Sequence, residues 1–399
     1  MWLCEKGKRS IELEDDVVKQ ILNAYPEEEL ITRPVFQTAF DRGEIEYSQL
    51  KEECEKILIP WQMFLLDKTN FAKQVKNIET NREHKISAKL LSKRKGQGNV
   101  TSRRIIDRLI RQQNFTTSYV SLPTNSFCDS LKGLSIDAAA AEILSFFEID
   151  TDKLRSYVTK GNALEYIIKQ VEQKNINISR GVLSHKILPA TKVVPSNVYR
   201  NTSGFAIKDL KLPCIFLPGE INPDEVESRQ IYTLIFLLAI IGLGEYEYYL
   251  EPDFKTTLVN TSGTKKKLHL ITTELLLPKS VTDSLLGTHI STQIRDSLSS
   301  KYKISPTALV TILRMRKVID KDTYNILLPP PFVQQKGIKK HLNAPKISTS
   351  VKKFCGQATF DAINSAFTGG YLSSMQAQYL IFGAPNKKNF RKYRDDMKI

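Results

Sequence analysis

The 399-residue sequence carries none of the common catalytic signatures: it has no Walker A phosphate loop, no G-x-S-x-G elbow, no C-x-x-C pair and no H-E-x-x-H. Cysteine is scarce and odd in number. The five, Cys4, Cys54, Cys128, Cys214 and Cys355, form no close pairs, so neither a disulfide framework nor a cysteine-based zinc site is expected, and free thiols in a reducing compartment are. The five histidines (His84, His185, His269, His289, His341) are equally scattered. No two lie within four residues, so no helical pair of metal ligands can be read from them. Long apolar runs are also missing. The longest, Ile231 to Leu243, has 13 residues against the roughly 20 that span a bilayer, and it reads as a core helix. MWLCEKGKRS leads straight into acidic ELEDD with no apolar stretch between, so no secretory leader is expected, and the chain reads as cytoplasmic with no membrane partner. With 41% hydrophobic and 25% charged residues, collagen-like, disordered and coiled-coil readings of the whole are excluded.

What is present is positive charge, unevenly placed. The net charge is +15, yet residues 1–56 hold 14 acidic against 8 basic residues, while residues 73–111 hold 12 basic against 3 acidic. Residues 333–353 carry six lysines and no acid, and residues 379–399 carry six basic residues against two aspartates. The charge therefore belongs to a few stretches rather than to the chain as a whole.

Hydrophobic periodicity predicts short helices over 11–66, a basic connector over 82–101 and a helix from Ser102 to Gln112. On that helix Ile105, Ile106, Leu109 and Ile110 form one face, and Arg103, Arg104, Arg108 and Arg111 largely the other. Gly96-Gln97-Gly98 has no preceding strand and reads as part of the connector rather than as a phosphate cradle. Two or three helices follow over 136–176. Alternation then predicts strands in INISRGVL and GFAIKD, and a short buried strand between Pro213 and Pro218. After the apolar helix at 229–243 come a loop, 260–267, and a helix over roughly 268–277. Ser305-Pro306 is an N-cap with proline at the first helical position. Ser373 and Gln376 fit a capping box.

The strand Leu212-Pro213-Cys214-Ile215-Phe216-Leu217 is followed by Arg229-Gln230-Ile231-Tyr232-Thr233-Leu234 and by Thr273-Glu274-Leu275-Leu276-Leu277-Pro278. Further along stand Ile304-Ser305-Pro306-Thr307-Ala308-Leu309 with Val318-Ile319-Asp320, then Phe367 to Ser373 and Ala377 to Leu380. In order and spacing these segments, across roughly 160–399, resemble the ImmA/IrrE-like metallopeptidases, a mostly bacterial and phage family often coupled to Xre-type repressors or antitoxins. In that family the central helix carries H-E-x-x-H, which binds zinc through two histidines one turn apart. The corresponding positions here are Phe236, Leu237 and Ile240, and the third ligand's position is Lys265. The resemblance thus implies a scaffold with no catalytic residue, metal or cofactor, acting through a protein partner such as a repressor or antitoxin in phage, prophage, toxin–antitoxin or defence control. Glu274, not a ligand in the family, is assigned to structure. An alternative constellation of His269 with Glu274 is poor, because five residues along a helix do not share a face. The segment Val35 to Trp61 resembles the degenerate helix-turn-helix ahead of some long members, and its acidic balance favours packing or protein contact over DNA.

The basic segments carry the competing reading, a nucleic-acid-binding regulator that grips phosphates through Lys93, Arg94, Lys95, Arg103, Arg104, Arg108 and Arg111 together with Lys387, Lys388 and Arg391. The expected architecture is α+β and mostly helical: an acidic helical part over 1–72, a basic and helical middle over 73–160, a pseudo-peptidase core with a small antiparallel sheet over 161–300, and a helical region with a basic tail over 301–399.

Overall fold

The computed structural model describes residues 2–6, 9–18, 34–57, 61–86, 99–181, 203–219, 227–249, 263–329, 346–383 and 386–399. The chain opens with strands β1 (Trp2–Lys6) and β2 (Arg9–Leu13), helix α1 (Pro34–Arg42), strand β3 (Glu44–Glu46) and helices α2 (Tyr47–Ile57), α3 (Lys68–Lys85) and α4 (Asn99–Tyr119). Helices α5 (Ile136–Phe146), α6 (Thr151–Ser156) and α7 (Lys160–Glu172) precede strands β4 (Asn177–Arg180), β5 (Phe205–Ile207) and β6 (Cys214–Leu217). Helices make up the remainder: α8 (Glu227–Leu243), α9 (Gly263–Leu276), α10 (Lys279–Asp283), α11 (Thr292–Lys301), α12 (Pro306–Met315), α13 (Lys321–Leu327), α14 (Ile347–Cys355), α15 (Gln357–Thr368), α16 (Ser374–Phe382) and α17 (Lys387–Met397). The fold is α+β and mostly helical. Among the described residues no helix is long and apolar enough to cross a membrane, and all five cysteines are free.

Two compact units divide the chain, each drawn from more than one stretch of sequence. One is drawn from Met1–Gln112 and Ile363–Ile399, the other from Gln113–Leu183 and Tyr199–Ala362. The first unit corrects the purely helical expectation for residues 1–72. β1 pairs antiparallel with β2 (Cys4 opposite Ile11) and parallel with β3 (Cys4 opposite Ile45), in the order β2-β1-β3. The strands are five, five and three residues long, too short for alternation to stand out against the helical periods that follow. Pairing completes them, and Cys4, Leu13 and Ile45 join Val17, Phe36, Leu50, Phe64 and Phe71 in one buried cluster.

The second unit is built on α8. Every residue from Ile231 to Leu243 is buried, as expected of a helix that is apolar on all sides and therefore central. β6 is buried along its whole length and lies between β4 and β5, parallel to the first and antiparallel to the second. The expected antiparallel sheet is thus a mixed one. Local alternation predicts that a segment is a strand but says nothing of its direction relative to a partner 37 residues away. Packing against α8 is close enough to dictate backbone chemistry. At Gly204 (φ 155) an added Cβ would stand 2.8 Å from Phe216 O and 2.8 Å from Thr233 Cγ2, so only glycine fits.

Candidate functional site

The positions singled out in sequence on α8 come together with α9. Tyr232, Phe236 and Ile240 follow at intervals of four, so they share one face of the helix. α9 begins at Gly263, five residues earlier than its periodicity predicts, because three consecutive lysines (265–267) mask its first turn as loop. Lys265 therefore stands on the helix, half-buried, one turn before His269. His269 is 1% exposed. Its Nδ1 lies 2.9 Å from the Tyr232 hydroxyl, and the Phe236 ring lies 4.7 Å from the imidazole, tilted by 41°.

Burial sets the chemistry of this cluster. Exclusion from water pushes the Tyr232 phenol well above its ordinary range, and burial, with Lys265 adding to it, pulls His269 down to about 3. Both groups are neutral near pH 7. The phenol keeps its proton and the two neutral groups share one hydrogen bond between the hydroxyl and Nδ1. A neutral imidazole that is 1% exposed, beside a phenylalanine ring and hydrogen-bonded at Nδ1 to a buried phenol, is a buried polar contact inside an apolar interior.

The residues do not fit zinc. Phe236, Leu237 and Ile240 are fully buried and offer no donor atom, and Lys265 brings a positive charge where a carboxylate would be needed. Among the described residues no group of three or more His, Cys, Asp or Glu could hold a metal ion. Glu274 belongs to a different network. Its Oε1 accepts from the Lys279 backbone N–H at 2.9 Å, at the start of α10, and its Oε2 pairs with Arg316 at 2.8 Å, with both side chains largely buried. Arg316 also donates to Leu277 O at 2.7 Å. Glu274 and Arg316 tie α9, α10 and the end of α12 together and leave no carboxylate for His269.

The basic positions separate sharply. Lys93, Arg94 and Lys95 lie outside the described residues, as do the side chains of Arg103 and Arg104, although their backbone is part of α4. Arg111 is exposed. Arg108 is not: it is 3% exposed, which corrects its assignment to an open cationic face. α4 buries Gln112 as well as Ile105, Ile106, Leu109 and Ile110. At 100° per residue these positions span about 160°, and Arg108 lies about 40° beyond Gln112, so the buried arc widens to about 200° and takes in a position next to the apolar stripe. On α17, by contrast, Lys387, Lys388 and Arg391 are all exposed.

An open cavity of about 720 Å³ lies elsewhere in the second unit, lined by Gly287 to Ile290 and by Arg314, Lys317 and Asp320 among others. Of the positions named in sequence, His289 and the segment Val318-Ile319-Asp320 line it, and none of the degenerate-site or basic positions does. Two of its charged groups make local contacts: Asp320 accepts from Thr323 N at 2.7 Å as the α13 cap, and Arg314 donates to Ile319 O at 3.4 Å. The Tyr232–His269 pairing had no sequence signal, since the partners are 37 residues apart: Tyr232 stood only inside the segment Arg229 to Leu234, and His269 was weighed only with Glu274. Compared with protein-family models, with curated proteins and with solved structures, the chain matches none.

Proposed function

We propose that this chain is a zinc-free protein of the ImmA/IrrE-like type, without peptidase activity, that acts by binding a protein partner of the repressor or antitoxin class. The observation that carries the reading is the seating of Phe236 against His269. The face of α8 on which the resemblance expects metal ligands meets α9 through a ring, an imidazole and a phenol, all buried and all neutral. Apolar side chains at Phe236, Leu237 and Ile240 avoid the cost of about 1–3 kcal/mol for each unpaired polar group left inside.

Elemental analysis and thermal unfolding of the purified chain test this. The expected result is far less than one equivalent of zinc, with the same melting temperature in added zinc and in chelator. One equivalent of zinc, lost to chelator with a lower melting temperature, would overturn the proposal. At a hundredfold excess over its dissociation constant such an ion would stabilise by about 2.7 kcal/mol, well within detection.

A further inference from the structure

The link between α16 and α17, together with the face that α17 leaves open, points to a second partner. α16 begins with a capping box, in which Ser373 and Gln376 cap each other's backbone N–H groups. It ends at Phe382, and Gly383 follows in the left-handed conformation (φ 77), its N–H donating to Tyr379 O at 3.0 Å. Four residues after the end of α16, Asn386 caps α17 through Asn389 N, and its own N–H donates to Gln378 Oε1 at 2.7 Å. Gly383 and Asn386 are thereby both bonded back to α16. Phe390 meets Phe367 of α15 and Phe382 of α16 edge-on, Tyr393 stacks on Phe390, and the Tyr393 hydroxyl donates to Asn364.

Phe390 and Tyr393 pin α17 along one stripe. At 100° per residue, Arg394, Lys387, Arg391, Lys388 and Lys392 then share an outward arc of about 160°, which Asp395 enters in the last turn, and all five cations are exposed. The acids Asp395 and Asp396 sit in the last turn. The first two turns of the open face are cationic without interruption.

We infer that α16, its turn and α17 dock on duplex DNA, with α17 in the major groove and Lys387, Lys388, Arg391 and Lys392 against phosphates and guanine edges. A helix pair joined by a short glycine turn, with a third helix behind the second, presents a cylinder about 10–12 Å across to a groove about 12 Å wide. Base reading in this geometry uses the N-terminal residues of the second helix, and Lys387 and Lys388 there have no acid within one turn along α17. A single strand is the poorer fit, because the aromatic residues of α17 are buried and cannot stack on bases. An acidic protein surface is also poorer, because the open face offers no apolar anchor of the kind that dominates protein interfaces. The inference is independent of whether the α8–α9 interior binds zinc.

The test uses the full chain and a fluorescein-labelled pool of random 20-base-pair duplexes, with anisotropy read from 50 to 200 mM NaCl. Micromolar binding at 50 mM is expected, weakening about a hundredfold by 200 mM if four phosphates are neutralised. The variant Lys388→Ala/Arg391→Ala alters only the exposed arc, so its helical circular dichroism and melting should match wild type, while its affinity at 50 mM falls at least tenfold and the logarithmic salt slope drops by about 2. The control Lys266→Ala/Lys321→Ala, two exposed cations of the other unit, should bind within twofold of wild type. Methylation of guanine N7, which faces the major groove, should weaken binding. No binding at 50 mM, equal affinity for a single strand or for polyglutamate of the same length, or an unchanged slope in the double variant would each overturn the inference.

Discussion

His269 makes the sealed interior measurable through pH. Its folded-state pKa is held at about 3, first by burial and second by Lys265, against the ordinary imidazole value of 6.5. The depressed value means that the folded chain binds the imidazole's proton less readily than the unfolded chain does. This contribution to stability is therefore fully present above pH 6.5 and is lost as the pH falls toward 3. At pH 5 an unfolded imidazole is protonated about thirty to one while the buried one stays neutral, a difference of about 2 kcal/mol. Urea unfolding of wild type and His269→Gln at pH 7.5 and pH 5 isolates the effect, because every other titrating group is common to both. Glutamine can still accept the Tyr232 hydroxyl, so its own cost should be about 1 kcal/mol and the same at both pH values. The expected result is that wild type loses about 2 kcal/mol more than the variant between pH 7.5 and pH 5. Equal losses within about 0.5 kcal/mol, or a histidine resonance titrating near 6.5 in the folded protein and absent from the variant, would refute the sealed pair and with it the seating of Phe236.

Two further substitutions probe what holds α8 and α9. In Gly242→Ala the new Cβ would stand 2.5 Å from Leu131 Cγ and Cδ1 and 3.1 Å from Phe127 Cζ, and both side chains are fully buried. Overpacking of about 1–3 kcal/mol outweighs a helix-propensity gain of about 1 kcal/mol, so a lower urea midpoint is expected, and an unchanged or higher one would show that Leu131 is free to move. Glu274→Ala leaves the Arg316 guanidinium without its carboxylate while 13% exposed, and should cost about 2–3 kcal/mol in thermal or urea unfolding. Glu274→Gln, which can still accept from Lys279 N, should recover part of that loss. Equal effects of the two would show that the ion pair carries none of it.

The sequence was most legible where the controlling physics is local. The burial of α8 was written in an unbroken apolar run. The start of α12 was written in Ser305-Pro306, whose serine accepts from Ala308 N at 3.1 Å. The start of α16 was written in Ser373 and Gln376, and β6 in the apolar tetrapeptide between two prolines. Caps, prolines and periodicity act within about four residues, so a single sequence contains all of their terms.

What the sequence by itself determined, then, is a mostly helical chain with a small sheet, a central apolar helix and cations gathered in a few stretches. The tertiary structure alone decided which cations face outward. α4 buries an arc wide enough to take in Arg108, whereas α17 turns Phe390 and Tyr393 inward and keeps its lysines open. It also decided that β4 runs parallel to β6, that β1 and β2 form at all, and that Lys265 and His269 sit on one helix facing Phe236. These outcomes depend on free energies shared between segments tens of residues apart, and the residue types at either end of such a contact do not encode the geometry that joins them.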